Sequence, residues 1–120
     1  MAGLVFVKTK DLTKTVQFYI DVIGCEKWLS QPDIEIIKND NFLIGFHQAD
    51  DMDSAVLFSF FYKTRKEVDK MYDKMKKLNL TRTEPVENSK YKIYNFFALD
   101  NEGRKLEFQT FLHAIPSIMT

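Results

Sequence analysis

The hydrophobic and polar positions of this chain change period twice, each time in the same order. Residues 4–10, LVFVKTK, alternate as a strand does until Asp11. The stretch LTKTVQFYIDVIG, 12–24, then brings Leu12, Val16, Tyr19 or Ile20, and Ile23 to one side at helical spacing. Asp11 is placed to cap that helix and Gly24 to end it. Further on, VLFSFFY, 56–62, predicts a strand, and TRKE, 64–67, predicts a capping box in which Thr64 and Glu67 satisfy orphan amides. Val68, Met71, Met75 and Leu78 follow at helical spacing, while Lys66, Asp69, Lys70, Asp73, Lys74 and Lys77 fill a solvated face.

Each helix is followed by three strand-like pieces. After the first come CEKWLS (25–30), DIEIIKN (33–39) and FLIGFHQ (42–48), with turns at Gln31-Pro32 and Asp40-Asn41. After the second come NLTRTEP (79–85), YKIYNFFAL (91–99) and RKLEFQTFL (104–112), with turns at 87–89 and 100–103. A ferredoxin-like domain would place only two strands between its helices, whereas about forty residues separate Gly24 from Thr64, room for three strands of ~5–6 residues and their turns. The predicted fold class is α+β: two tandem βαβββ modules, 3–48 and 55–112, joined by a polar linker at 49–54 and followed by a tail at 113–120.

Composition narrows the function classes. A chain of 120 residues with 45% hydrophobic residues and eleven Phe can build an aromatic core without disulfides. Seventeen basic and seventeen acidic residues cancel, so no field attracts a phosphate backbone, and nucleic acid is not an expected partner. The uncharged run 54–62 is about half of the ~20 residues a spanning helix needs, so no membrane association is expected. The single cysteine, Cys25, cannot form an internal disulfide, and a cytoplasmic location is expected.

Three pieces of sequence resemble the vicinal-oxygen-chelate superfamily, the group of glyoxalases, bleomycin-resistance proteins and extradiol dioxygenases. They are DLTKTVQFYIDVIG (11–24), EVDKMYDKM (67–75) and LDNEGRKLEF (99–108). The likeness spans residues 4 to 112, and its first and third motifs together are specific. The resemblance implies two modules whose sheets curl into a paired, mixed sheet around a central cavity, with the helices outside. It also implies four metal positions in the metal-dependent members, two per module, filled by His, Glu or Gln. There a divalent ion chelates vicinal oxygens to stabilise an enediolate or orient a catechol.

Carried onto this chain, the spacing from Asp100 and Gly103 places the fourth position at Glu107. The internal repeat sets Gly45 opposite Glu107 and pairs Leu4 with Leu57. Leu4, Gly45 and Leu57 have no ligating side chain, so one carboxylate remains where about three protein ligands are needed. No metal or other cofactor is expected. His47 lies two residues beyond Gly45, roughly 6–7 Å along the strand, too far to stand in directly. It reads first as a partly exposed strand-end histidine and second as a pocket residue. Glu107 reads equally as a carboxylate held by its neighbours and as one that meets a polar or cationic ligand group or acts as a base.

If Glu107 faces inward, strand alternation sends Lys105 and Gln109 with it and turns Leu106 and Phe108 toward the helices. The same period sets Phe6, Lys8, Leu43, His47, Ser59 and Phe61 on the cavity side. Such a lining, apolar and aromatic with a few polar groups, suits a small organic molecule. The ligand-binding candidates are therefore Glu107, His47, Gln109, Ser59, Phe6 and Phe61. The predicted function is metal-free binding of a small molecule, as in the drug-sequestering members of the group. The alternative is a metal-dependent lyase or dioxygenase of the glyoxalase type with an irregular site at Glu107, His47 and Gln109. No motif supports Cys25 as a nucleophile, Trp28 reads as packing, and His113 is assigned no role. A homodimer is expected by the resemblance, with the apolar tail FLHAIPSIM, 111–119, available to pack across a partner.

Overall fold

The computed structural model describes residues 1–118. The chain falls into two compact units, one of Met1–Val56 with Asp100–Arg104, the other of Leu57–Leu99 with the chain from Lys105 onward. The final two residues of the predicted tail, 119 and 120, lie outside the described residues.

In the first unit the elements run β1 (Leu4–Thr9), α1 (Leu12–Phe18), β2 (Glu26–Gln31), β3 (Ile34–Asn39) and β4 (Phe42–Gln48). The sheet order is β1-β4-β3-β2, with β1 parallel to β4 and the other neighbours antiparallel. Asp11 caps α1 as expected, its side chain accepting from the Lys14 amide at 3.1 Å. The predicted single helix changes at Tyr19 to a π-helical turn, Tyr19–Ile23, where the Tyr19 carbonyl accepts from both the Gly24 and Cys25 amides. Gly24 ends the turn at φ 96°, a left-handed conformation that suits glycine. Helix α1 packs on β3 and β4. Val16, Tyr19, Ile37, Ile44 and Phe46 are buried in this unit. The linker folds back on β1, where Asp53 accepts from the Lys8 amide and returns its own amide to the Lys8 carbonyl.

The second unit repeats the plan with β5 (Leu57–Tyr62), α2 (Arg65–Lys77), β6 (Val86–Asn88), β7 (Ile93–Leu99) and β8 (Lys105–Phe111). Its order is β5-β8-β7-β6, again with one parallel pair, β5 and β8. Thr64 caps α2, accepting from the Glu67 amide at 3.3 Å and donating to the Glu67 carboxylate at 2.9 Å. Val68, Met71 and Met75 are buried on the helix as their spacing predicts. Beneath them lie Phe58, Phe60, Phe96, Leu106 and Phe108, with the Phe108 ring stacked 5.3 Å from Phe96 and 5.7 Å from Phe60. Both modules are thus βαβββ, and the fold class is α+β.

Two predicted details are corrected. Leu78 is exposed, because α2 stops at Lys77 and the chain turns away at Asn79, whose φ is 57°. The predicted strand at 79–85 is largely irregular: Arg82 and Thr83 both give their amides to the Phe97 carbonyl, and Thr83 Oγ1 takes the Phe97 amide. A side chain so consumes the ladder bonds that a strand would need. Before Pro85, which has no amide to donate, the segment makes only an isolated antiparallel bridge, Thr81 to Ala98; continuous pairing starts after it, so β6 occupies 86–88 and overlaps the turn predicted at 87–89. No helix among the described residues is long and apolar enough to cross a membrane.

Candidate functional site

The site builds on β8 and its neighbours. Ser59 stands opposite Glu107 on the parallel side, and Phe97 stands opposite it on the antiparallel side. One register step along, Gln109 lies between Phe61 and Asn95. Residues directly opposite share a face, so Ser59, Phe61, Phe97, Asn95, Glu107 and Gln109 all belong to one face, away from α2. Glu107 is 9% exposed, and three neutral side chains hold it. Ser59 Oγ donates to Oε1 at 2.8 Å, Gln109 Nε2 to the same oxygen at 3.1 Å, and Asn95 Nδ2 to Oε2 at 2.8 Å. Gln109 also donates to Ser59 Oγ at 2.7 Å, fixing that hydroxyl so that its proton points at the carboxylate. The apolar residues on this face stay open: Leu57 is 51% exposed, Phe61 47%, Phe97 37% and Val86 56%.

On the first unit the corresponding face carries Leu4 opposite Leu43, Phe6 opposite Gly45 and Lys8 opposite His47. A hollow of about 260 Å³ opens there, lined by Phe6, Val7, Lys8, Ile34, His47 and Asp53. Lys8 Nζ is paired with Asp51 at 3.2 Å at the same end. His47 is exposed. Gly45 is glycine for a steric reason: a Cβ there would sit 2.5 Å from two carbons of the Phe6 ring. The ring lies over the backbone where a longer residue would project.

The metal implied by the fold does not fit these residues. Leu4 and Leu57 offer no donor atom, the space at Gly45 is taken by the Phe6 ring, and the Glu107 oxygens face N–H and O–H donors. Among the described residues no three His, Cys, Asp or Glu side chains converge. The structure therefore brings Glu107, Ser59 and Gln109 into one hydrogen-bonded cluster with Phe61 beside it, and it sets Phe6 and His47 in one hollow on the first unit.

Sequence reasoning missed Asn95. Its signal was present: an Asn between Tyr94 and Phe96 opposes strand preference, and once buried it must find a partner. Also missed was a buried polar network in the first unit. Arg104 and Asp100 are 0% and 1% exposed and pair at 3.0 Å. Asp100 also accepts from the Tyr19 hydroxyl at 2.7 Å and from the Glu102 and Arg104 amides. Arg104 Nη2 reaches the Lys8 carbonyl at 2.6 Å and Glu102 Oε1 at 2.8 Å, and its guanidinium sits 5.5 Å from the Phe46 ring centre. Glu102 in turn accepts from Thr9 and Thr15 hydroxyls and the Lys10 amide.

Ionisation follows from these contacts. Burial alone would raise the Glu102 carboxyl, but the Thr9, Arg104 and Lys10 donors hold it below its usual range. Burial likewise works against the Arg104 charge, and Asp100 and Glu102 more than restore it, so its pKa is raised. Burial, then the Asp100 carboxylate, pushes the Tyr19 phenol well up. Two motifs, the Phe18-Tyr19 pair and the Asp100–Gly103 turn, thus meet in a structural network rather than at a reactive centre. Cys25 is buried, and burial raises its thiol to about 11, which leaves it protonated and unreactive at neutral pH.

Comparison with known proteins locates the fold. No family model and no curated protein matches the sequence. Among solved structures, a glyoxalase/bleomycin resistance protein/dioxygenase from Alicyclobacillus acidocaldarius superposes with a TM-score of 0.74 at 19% identity, covering 94% of this chain and 92% of that one. A lactoylglutathione lyase from Agrobacterium tumefaciens gives 0.73 at 20% identity, with 92% of each chain covered. An integron cassette protein from the mobile metagenome of the Halifax Harbour sewage outfall gives 0.78 at 20% identity, covering 92% of this chain and 97% of that one. The fold of this chain is that of the glyoxalase, bleomycin-resistance and dioxygenase proteins, the vicinal-oxygen-chelate fold.

Proposed function

We propose that this protein is a metal-free member of the vicinal-oxygen-chelate superfamily that binds a small organic molecule. The observation that carries the reading is the Glu107 cluster: a mostly covered carboxylate, fixed by Ser59, Asn95 and Gln109, on a sheet face whose apolar residues remain open to solvent. Positioned polar groups within exposed apolar surface favour a ligand over a plain core, which would cover that surface. The Phe6 and His47 hollow is a second place where a ligand group can lie. A metal-dependent lyase or dioxygenase has the shared fold in its favour and the donor set against it. A cytoplasmic homodimer belongs to the proposal, supported by the one unpaired buried cysteine and by the open apolar residues of both sheets.

Thermal unfolding in the presence of a library of small organic molecules, with and without a chelator, tests it. A binder at about 100 times its Kd adds about 2.7 kcal/mol and raises Tm by several degrees. The shift is expected to survive chelation and to vanish in Glu107→Ala. A library that stabilises the protein only when a divalent metal is supplied would sink the proposal. Light scattering at the monomer mass would remove the homodimer from it.

A further inference from the structure

Resting on the small-molecule reading above, we infer that the ligand of the Glu107 face is an organic cation: an ammonium or amidinium group, seated at Glu107, on an aromatic or other apolar body. Both carboxylate oxygens act as acceptors. The Ser59 hydroxyl takes the Gln109 amide and so turns its own proton to Oε1, while Asn95 gives Oε2 an N–H. A carboxylate offers roughly four acceptor positions, and three are used, leaving one open.

All three donors are neutral, and none of the ion pairs among the described residues includes Glu107. Lys105 is the neighbour of Glu107 on this face, two residues earlier on β8, but its side chain is exposed and forms no ion pair with the carboxylate. A covered carboxylate is ordinarily paired with a cation, since its charge is costly away from water. Here the fold supplies neutral hydrogen-bond donors and no ion pair. The apolar surround sharpens the preference. Phe97 stands opposite Glu107 and Phe61 beside Gln109, and aromatic faces attract cations most where water is displaced. A ligand carboxylate or phosphate would meet repulsion, and a neutral ligand would gain apolar contact alone.

Three probes with one ring system test this: naphthylmethylammonium, naphthylmethanol and naphthoate, each titrated into the full chain while the Asn95 and Gln109 side-chain amides are followed by NMR. The ammonium is expected to bind about tenfold more tightly than the alcohol, and naphthoate most weakly. In Glu107→Gln the advantage of the ammonium over the alcohol should disappear. Equal binding of ammonium and alcohol by the wild-type chain would overturn the inference yet leave the small-molecule reading standing. Failure of all three to move either amide would count against both. If Glu107→Gln does not fold, the wild-type order of the three probes still decides. Dissociation of a dimer by Glu107→Gln, with no change in ammonium binding, would instead assign the cation to a second copy and overturn the inference.

Discussion

Replacing Arg104 by Met keeps much of its length and removes its charge, and so isolates what the buried network contributes. The side chain is fully covered and makes three polar contacts, to Asp100 Oδ2, Glu102 Oε1 and the Lys8 carbonyl. Its loss leaves two carboxylates facing each other without a cation. Removing one partner of a buried pair costs about 3–5 kcal/mol. Asp100 retains the Tyr19 hydroxyl and two amides, and Glu102 retains two hydroxyls and the Lys10 amide, which places the expected loss at the lower end, about 3 kcal/mol. With a urea m-value of about 1–3 kcal/mol/M, the midpoint should fall by about 1–3 M. Arg104→Lys should recover only part of this, because one ammonium cannot span acceptors arranged for a planar fork. The double variant with Asp100→Asn should be less destabilised than the two single changes added together. A loss below about 1 kcal/mol, the range of an exposed ion pair, would refute the network's structural role.

Gly45→Ala forces its methyl into the Phe6 ring, and the overpacking should cost about 1–3 kcal/mol in chemical denaturation. In a Phe6→Ala background the same change should be nearly neutral; equal costs in both backgrounds would mean that the ring does not lie where the structure places it. Cys25 gives a signed dependence on pH. Its thiol rises through burial from an ordinary value near 9 to about 11, so its contribution to stability is whole below pH 9 and is lost as pH climbs from about 9 to about 11. That loss amounts to about 2–3 kcal/mol. Cys25→Ala should lack this component, and identical alkaline slopes for the two proteins would contradict it.

The parts of the fold legible in the sequence are those written in local period and local capping. Asp11, Gly24 and Thr64 mark helix ends through contacts a few residues away, and the structure keeps all three. The face of Glu107 was legible for the same reason, since the turn at 100–103 fixes where β8 starts and alternation does the rest. Segment 79–88 was not, because its form depends on Thr83 reaching the Phe97 amide across the unit. The sequence pattern there, alternating and rich in Thr, is compatible with a strand, and only the partner decides. Arg104 was illegible likewise: its partner at Lys8 lies 96 residues away, and nothing local distinguishes a buried arginine from an exposed one. Asn95 stands between these cases, marked as anomalous by its aromatic neighbours but assigned a partner only by the register of β7 against β8.

Metal content addresses the central claim most directly. The purified chain would be equilibrated with Ni, Co, Zn, Mn and Fe in turn, freed of loose metal by dialysis, and measured by elemental analysis beside Glu107→Ala. The proposal predicts no stoichiometric metal in either protein, because Leu4, Leu57 and Gly45 offer no donor atom beside Glu107. Retention of about one equivalent by the wild-type chain and its loss in the variant would contradict it, and would make Glu107 the ligand of a working metal centre.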